Sequence, residues 1–172
     1  MLLAGGCGGA DAQPTAPPRT STPARAAPEL EALLPSELSG VRLRKASATG
    51  ANVFGSDAFS REMRRFLASV GRRPTDLRFA NARDPAGRLD VETGVFEVRG
   101  VDGRALRSAI VASSRPGAPG LTTSTETLAG KRVTRLVYAS GSTLYLYARG
   151  GRVFYVGTQD AELASTMLAT LQ

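Results

Sequence analysis

Residues 131–157 read KRVTRLVYASGSTLYLYARGGRVFYVG, and this stretch decides the fold. Three runs within it are rich in Val, Tyr and Phe, which is the composition of β-strands. These runs cover residues 131–139, 143–149 and 152–157. Gly150-Gly151 is a signal for a two-residue hairpin turn, and Ser140 to Ser142 supplies the turn before it. The stretch therefore predicts an antiparallel meander.

Three other segments carry apolar residues at helical spacing. The first runs from Asp57 to Val70, with Ser56 or Asp57 as the N-cap and Gly71 as the left-handed residue that ends it. The second is capped by Asp102. The third follows the meander and covers about 160–171. We expect each helix to bury one face.

Four further strands are predicted before the meander, the last of them a short optional one. They cover residues 41–48, 77–83, 89–99 and 123–128. The order β-α-β-β-α-β-β-β-α, with hairpins between neighbouring strands, predicts an α+β fold in which an antiparallel sheet has its helices packed on one face. Residues 38–43 resemble residues 128–133, which hints at a weak internal duplication.

The chain divides into three parts by composition. Residues 29–172 suit a single α+β domain. Residues 7–28 are rich in Pro, Ala and Thr, which predicts a disordered tether. Residues 1–6 precede Cys7, the only cysteine, and resemble the end of a signal peptide. No apolar run is long enough to cross a bilayer, so attachment to a membrane requires a lipid or surface contact.

The segment Leu3-Ala4-Gly5-Gly6-Cys7 resembles the lipobox of bacterial lipoproteins. Residues 30–172 also resemble a recurrent family of uncharacterised bacterial exported proteins, through motifs such as Gly130-Lys131-x-Val133-Thr134. The resemblance implies cleavage before Cys7, acylation of that residue and a lipid-anchored, extracytoplasmic location, with a leader upstream of Met1. Secretion without an anchor is the alternative. The family implies no known activity.

The composition excludes several kinds of catalytic site. The chain has no histidine, so Ser-His-Asp and Cys-His nucleophilic sites and the usual zinc ligand sets are absent. The only lysines are Lys45 and Lys131, and neither lies in a Ser-x-x-Lys frame. We therefore expect no enzyme, no cofactor and no metal site.

Aromatic residues form the first candidate site. If the turns of the meander are even, Tyr138, Tyr145, Tyr147 and Phe154 share one face of the sheet, and helices cover the other face. That aromatic face would receive a flat or apolar ligand. The alternative is that these rings pair across strands and only stabilise the sheet.

Basic residues form the second candidate. The formal net charge is +7, and only two of the 22 basic residues lie in the first 40 positions. The arginines of the first helix and the turn after it could contact anionic headgroups or nucleic acid. They are Arg61, Arg64, Arg65, Arg72 and Arg73. The alternative is an ordinary solvated helix face.

Acidic residues form the third candidate: Asp84, Asp90, Glu92 and Glu97. Paired carboxylates can hydrolyse glycosides or bind Ca²⁺, but arginines lie close in sequence, and ion pairs across the hairpin are the favoured interpretation.

These features predict a lipid-anchored, non-enzymatic binding or structural module. Its partners would be the membrane, through the lipid on Cys7, and an unknown protein or a small apolar ligand. A basic domain that binds nucleic acid or another anionic polymer is the first alternative, and a carboxylate-dependent hydrolase is the second.

Overall fold

A computed structural model describes residues 25–171, so Cys7 and most of the predicted tether lie outside the described residues. The strands are β1 (Glu37–Leu38), β2 (Val41–Arg42), β3 (Arg44–Thr49), β4 (Leu77–Arg83), β5 (Glu92–Val98), β6 (Thr122–Leu128), β7 (Lys131–Val137), β8 (Thr143–Arg149) and β9 (Arg152–Gly157). The helices are α1 (Pro28–Glu31), α2 (Gly50–Val53), α3 (Ala58–Ser69), α4 (Gly103–Ser114) and α5 (Ala161–Thr170).

Strands β3 to β9 form one antiparallel sheet in the order β3-β4-β5-β9-β8-β7-β6, and β1 pairs with β2 in a separate hairpin. This confirms the predicted α+β class. The optional strand at 123–128 is present as β6, at one edge of the sheet. The strand predicted from residue 89 begins only at Glu92, because the residues before it form a loop around Asp84.

Helices cover both faces of the sheet, so the prediction that they pack on one face is wrong. Helices α1 and α5 cover the face that carries Val95, Tyr145 and Phe154, which we name the closed face. Helices α3 and α4 cover the opposite, open face. The physical reason is the sequence of the central strands: residues 153–156 read VFYV, with apolar side chains at successive positions. A strand that is apolar on both sides must be covered on both sides.

The two turns of the meander differ in length. Gly150-Gly151 is the predicted two-residue turn, so Tyr147 lies opposite Phe154 and Arg149 opposite Arg152. The turn before it has three residues, because Leu136 lies opposite Leu144 and the Tyr138 N–H donates to the Ser142 carbonyl at 2.9 Å. The predicted even turn is therefore wrong. An odd turn moves every residue of β7 to the other face of the sheet.

The resemblance between residues 38–43 and 128–133 corresponds to two similar hairpins. Ser39 and Gly40 have φ values of 48° and 76°, and Ala129 and Gly130 have 50° and 71°. Two consecutive positive φ values are typical of a type I′ turn. The similarity ends there: α2 and α3 follow β3, whereas a short turn follows β7.

Aspartates begin the three long helices, as the sequence predicts for the first two. Asp57, Asp102 and Asp160 each accept hydrogen bonds from backbone N–H groups of the first helical turn. Helix α3 ends at Gly71, where a φ of 68° lets the Arg72 N–H reach the Leu67 carbonyl at 2.7 Å.

The packed domain begins earlier than residue 29. Ala27, which lies in the predicted tether, is fully buried, and its N–H donates to Ser47 Oγ at 2.9 Å. Ser47 Oγ in turn donates to Glu31 Oε1 at 2.7 Å. The start of the described chain is thereby joined to strand β3.

Candidate functional site

The four predicted aromatic site residues do not form one exposed face. Tyr145 and Phe154 are buried at 1% and 2% exposure in the core beneath α1 and α5. Tyr147 packs against this core, and its ring lies 6.2 Å from that of Phe154. Tyr138 belongs to the opposite core, because of the odd turn. The prediction of an open aromatic face is therefore wrong for Tyr145, Tyr147 and Phe154.

Tyr138 instead lines a cavity on the open face, which we name the apolar cavity. It has a volume of about 430 Å³ and lies between the start of α3, the second half of α4 and the sheet. The large side chains that line it are Phe59, Phe96, Ile110, Tyr138, Leu144 and Tyr155. Small-molecule sites are commonly concave, apolar and roughly 300–1,000 Å³ in volume.

Small residues leave part of the helical side of the cavity open, beside Phe59 and Ile110. Ala58, Ser114, Gly117 and Ala118 line it from α3, α4 and the loop that follows α4. None of these side chains is long enough to reach the rings on the sheet. The sequence signal was the small residues at 112–114 and at 117–118, beyond the apolar periodicity of α4.

The ring of Tyr155 is positioned by Gly94, which lies directly opposite it on β5. A Cβ atom at Gly94 would lie 2.4 Å from the Tyr155 ring and 2.5 Å from the Ala80 carbonyl oxygen. Only glycine leaves room for a ring there. The Phe96 ring lies 5.4 Å from that of Tyr155, so the two rings together form the sheet side of the cavity.

The hydroxyl of Tyr155 is held by a carboxylate. Tyr155 Oη donates to Glu92 Oε1 at 2.9 Å, and Asn81 Nδ2 donates to the same oxygen at 2.8 Å. Burial, reinforced by the charge and hydrogen bond of Glu92, raises the pKa of Tyr155 well above its ordinary value. The phenol therefore stays protonated at neutral pH, with its hydroxyl occupied and its ring lining the cavity.

Two polar side chains that line the cavity, those of Asp57 and Ser114, are already hydrogen-bonded. Asp57 accepts from Ser60 N at 2.9 Å and from Ser60 Oγ at 2.6 Å, and these hydrogen bonds lower the pKa of Asp57. Ser114 Oγ donates to the Ile110 carbonyl at 2.9 Å. A molecule in the cavity would consequently meet mainly carbon surface.

A second cavity of about 410 Å³ adjoins the first, since Tyr138 and Leu144 line both. Its polar lining includes Arg83, Asp90 and Glu92. Glu92 therefore contributes to both cavities. Its carboxylate accepts the hydrogen bond that holds Tyr155, and it lines the second cavity, which we name the polar cavity.

Glu97 lies apart from the other three predicted acidic residues, which line one cavity. Asp84 is buried and accepts from the N–H groups of Ala86, Arg88 and Leu89, and the hydrogen bond from Ala86 is the main cause that lowers the pKa of Asp84. Glu97 pairs with Arg78 across the β4–β5 hairpin and with Arg152 at 2.9 Å. The ion pair that the sequence favoured is therefore present. Asp84, Asp90 and Glu92 line the polar cavity together with Arg83, and Glu97 is not among its lining residues.

Most of the predicted basic residues contact groups close to them in sequence. Arg64 donates to the carbonyls of Gly55 and Phe54 at 2.8 and 2.7 Å, and Arg61 donates to the Ser56 carbonyl. Arg65 pairs with Glu62 at 2.5 Å, and Arg73 lies 3.9 Å from Asp76. Arg72 is exposed beside Gly100. Arg61 and Arg64 thus bind the segment that precedes α3, and Arg65 pairs with another side chain of α3.

Residues 25–171 provide neither a cluster of metal ligands nor a helix suited to span a membrane. Among these residues, no three acidic side chains lie close enough together to hold a metal ion. None of the described helices combines the length and the apolar character that a membrane span requires.

Comparison of the chain with protein-family models, with curated proteins and with solved structures finds no match. The function is therefore inferred from the geometry of the cavity and from the sequence.

Proposed function

We propose that this protein is a non-enzymatic module that binds a small, uncharged apolar or aromatic molecule in the apolar cavity. The observation that carries the proposal is the cavity itself, whose floor is built from Phe96, Tyr155 and Leu144. The side chains of Asp57 and Ser114 that line it are already hydrogen-bonded. Rings and aliphatic carbon offer such a molecule dispersion contacts and burial.

The positions of the polar groups support an uncharged ligand. Burial of a charged group without a partner costs several kcal/mol in a protein interior, by order of magnitude. Glu92 is turned toward Tyr155 and Asn81, and Asp57 toward Ser60, so neither carboxylate is free to pair fully with a charge in the apolar cavity.

A neutral fluorescent probe tests the proposal. N-phenylnaphthylamine emits strongly only in apolar surroundings, and the chain has no tryptophan to interfere. We expect saturable binding to the wild-type chain. Ala118→Phe would fill the cavity and weaken binding about tenfold, which corresponds to about 1.4 kcal/mol. The matched control is Ala112→Phe on the exposed side of α4, which should bind as the wild type does.

Two results would contradict a specific site. The probe could fail to saturate, or both phenylalanine variants could bind it equally. Circular dichroism of each variant shows that a change in binding is not a loss of folding.

We also propose that a lipid on Cys7 holds this module at the outer surface of a bacterial membrane. The lipobox-like segment and the Pro-rich stretch after it support the proposal. Intact mass of the protein extracted from membranes should show a diacylglyceryl addition, and Cys7→Ser should abolish it and release the protein from the membrane. An unmodified wild-type protein that is released equally would overturn the anchor.

A further inference from the structure

Three arginines that the sequence did not single out converge on one cavity. This arginine cavity has a volume of about 300 Å³ and is lined by Arg104, Arg107, Arg132, Tyr147 and Ala148. Arg104 and Arg107 lie three positions apart on α4, so they project from one side of that helix. Arg132 comes from the start of β7 and Ala148 from the end of β8. The site is therefore built by three elements of the domain, α4, β7 and β8.

The three guanidinium groups have no partner within residues 25–171. Their side chains make no hydrogen bond and no ion pair there, and no carboxylate lines the cavity. Arg78 and Arg152, by contrast, share Glu97, and Arg64 binds two carbonyls. The carboxylate of Asp102, near in sequence, already caps α4 through the N–H groups of Arg104 and Ala105.

Every charged side chain that lines this cavity is an arginine. Like charges gathered around one cavity repel one another, and an anion between them turns that repulsion into attraction. The local charge is therefore complementary to an anion and to no cation.

We propose that the arginine cavity binds a phosphate group. Guanidinium groups present planar pairs of N–H donors that match the oxygens of phosphate, and two or three of them can share one tetrahedral anion. A carboxylate, with two oxygens, would satisfy fewer of these donors. The phosphate belongs either to a lipid headgroup or to a free phosphorylated molecule. The proposal does not depend on the apolar cavity, which shares no lining residue with the arginine cavity.

Titration calorimetry of the purified full chain with inorganic phosphate at low ionic strength tests the site. We expect 1:1 binding that the double variant Arg104→Gln, Arg132→Gln weakens about tenfold or more, because hydrogen bonds between a guanidinium and a phosphate are charge-assisted and strong. The matched control is Arg61→Gln, Arg65→Gln, which removes the same charge from exposed positions on α3. That control should change phosphate binding less than twofold.

Vesicles distinguish the two sources of phosphate. If the ligand is a headgroup, co-sedimentation with phosphatidylglycerol vesicles falls in the Arg104, Arg132 variant and is retained in the Arg61, Arg65 control. If the ligand is a free molecule, the vesicles do not discriminate between the variants and calorimetry still does. Equal weakening of phosphate binding in both double variants, or no binding to the wild type, would overturn the proposal.

Discussion

The closed and open faces of the sheet are built from the same strands, but the apolar cavity lies on the open face. On the closed face Tyr145 and Phe154 are almost wholly buried, because α5 supplies Met167 and Leu168 against them. On the open face Phe96 and Tyr155 meet the small residues at the end of α4. The rings on the two faces are similar. What differs is the side-chain size of the element that covers them, and this decides whether an aromatic strand becomes core or a site.

The largest difference between the faces should appear in stability. Phe154→Ala on the closed face removes a ring from a filled core and should lower the free energy of unfolding by about 3–5 kcal/mol. Leu144→Ala on the open face removes carbon that already borders a cavity and should cost less than half as much. Urea unfolding followed by circular dichroism measures both. Equal losses would show that the open face is as tightly packed as the closed one.

A smaller effect should come from the glycine that makes room for Tyr155. Gly94→Ala places a methyl group 2.4 Å from that ring and 2.5 Å from a backbone oxygen, so the ring must move. We expect a loss of about 1–3 kcal/mol in the free energy of unfolding, together with weaker binding of the neutral probe. Gly157→Ala is the matched control on β9, since the nearest atom to its new methyl group would lie at an ordinary 3.6 Å. Comparable losses from both substitutions would exclude the steric explanation.

The sequence allowed much of the fold to be predicted, because local signals agree with the tertiary structure there. The Gly150-Gly151 turn predicted the register between β8 and β9. Asp57 and Gly71 marked the two ends of α3. The turn at 139–141 was mistaken because serine and glycine there fit turns of more than one length. That one-residue error moved Tyr138 to the wrong face.

The candidate site could be predicted only in part, for a reason of the same kind. Phe59, Ile110 and Tyr155 have the spacing of core residues, and spacing cannot show that the element opposite them is too small to fill the space. The arginine cavity could not be predicted from the sequence either. Arg132 lies 28 and 25 positions from Arg104 and Arg107, and only the packing of α4 over β7 and β8 brings the three together.

The smallest expected effect on the free energy of unfolding comes from the Tyr155 hydroxyl, and it depends on pH. Tyr155 has its pKa raised in the folded state, from burial first and Glu92 second, whereas in the unfolded chain it returns to about 10. As the pH rises above about 10, the unfolded phenol loses its proton and the folded one keeps it. The raised pKa of Tyr155 therefore contributes its full amount to the free energy of unfolding below about pH 10. That contribution decreases as the pH rises from there toward the pKa of the folded state.

Tyr155→Phe removes this titration and one hydrogen bond to Glu92, while Asn81 remains on the same oxygen. Below pH 9 we expect a loss of about 1 kcal/mol in the free energy of unfolding. Above pH 10 the difference between the variant and the wild type should shrink by up to about 1.4 kcal/mol per pH unit, because the wild type alone loses the linked proton. Urea unfolding at a series of pH values measures the difference. A constant difference across pH 8–11 would mean that the Tyr155 hydroxyl is exposed to solvent, and would place the polar head of that ring in the apolar cavity instead of behind it.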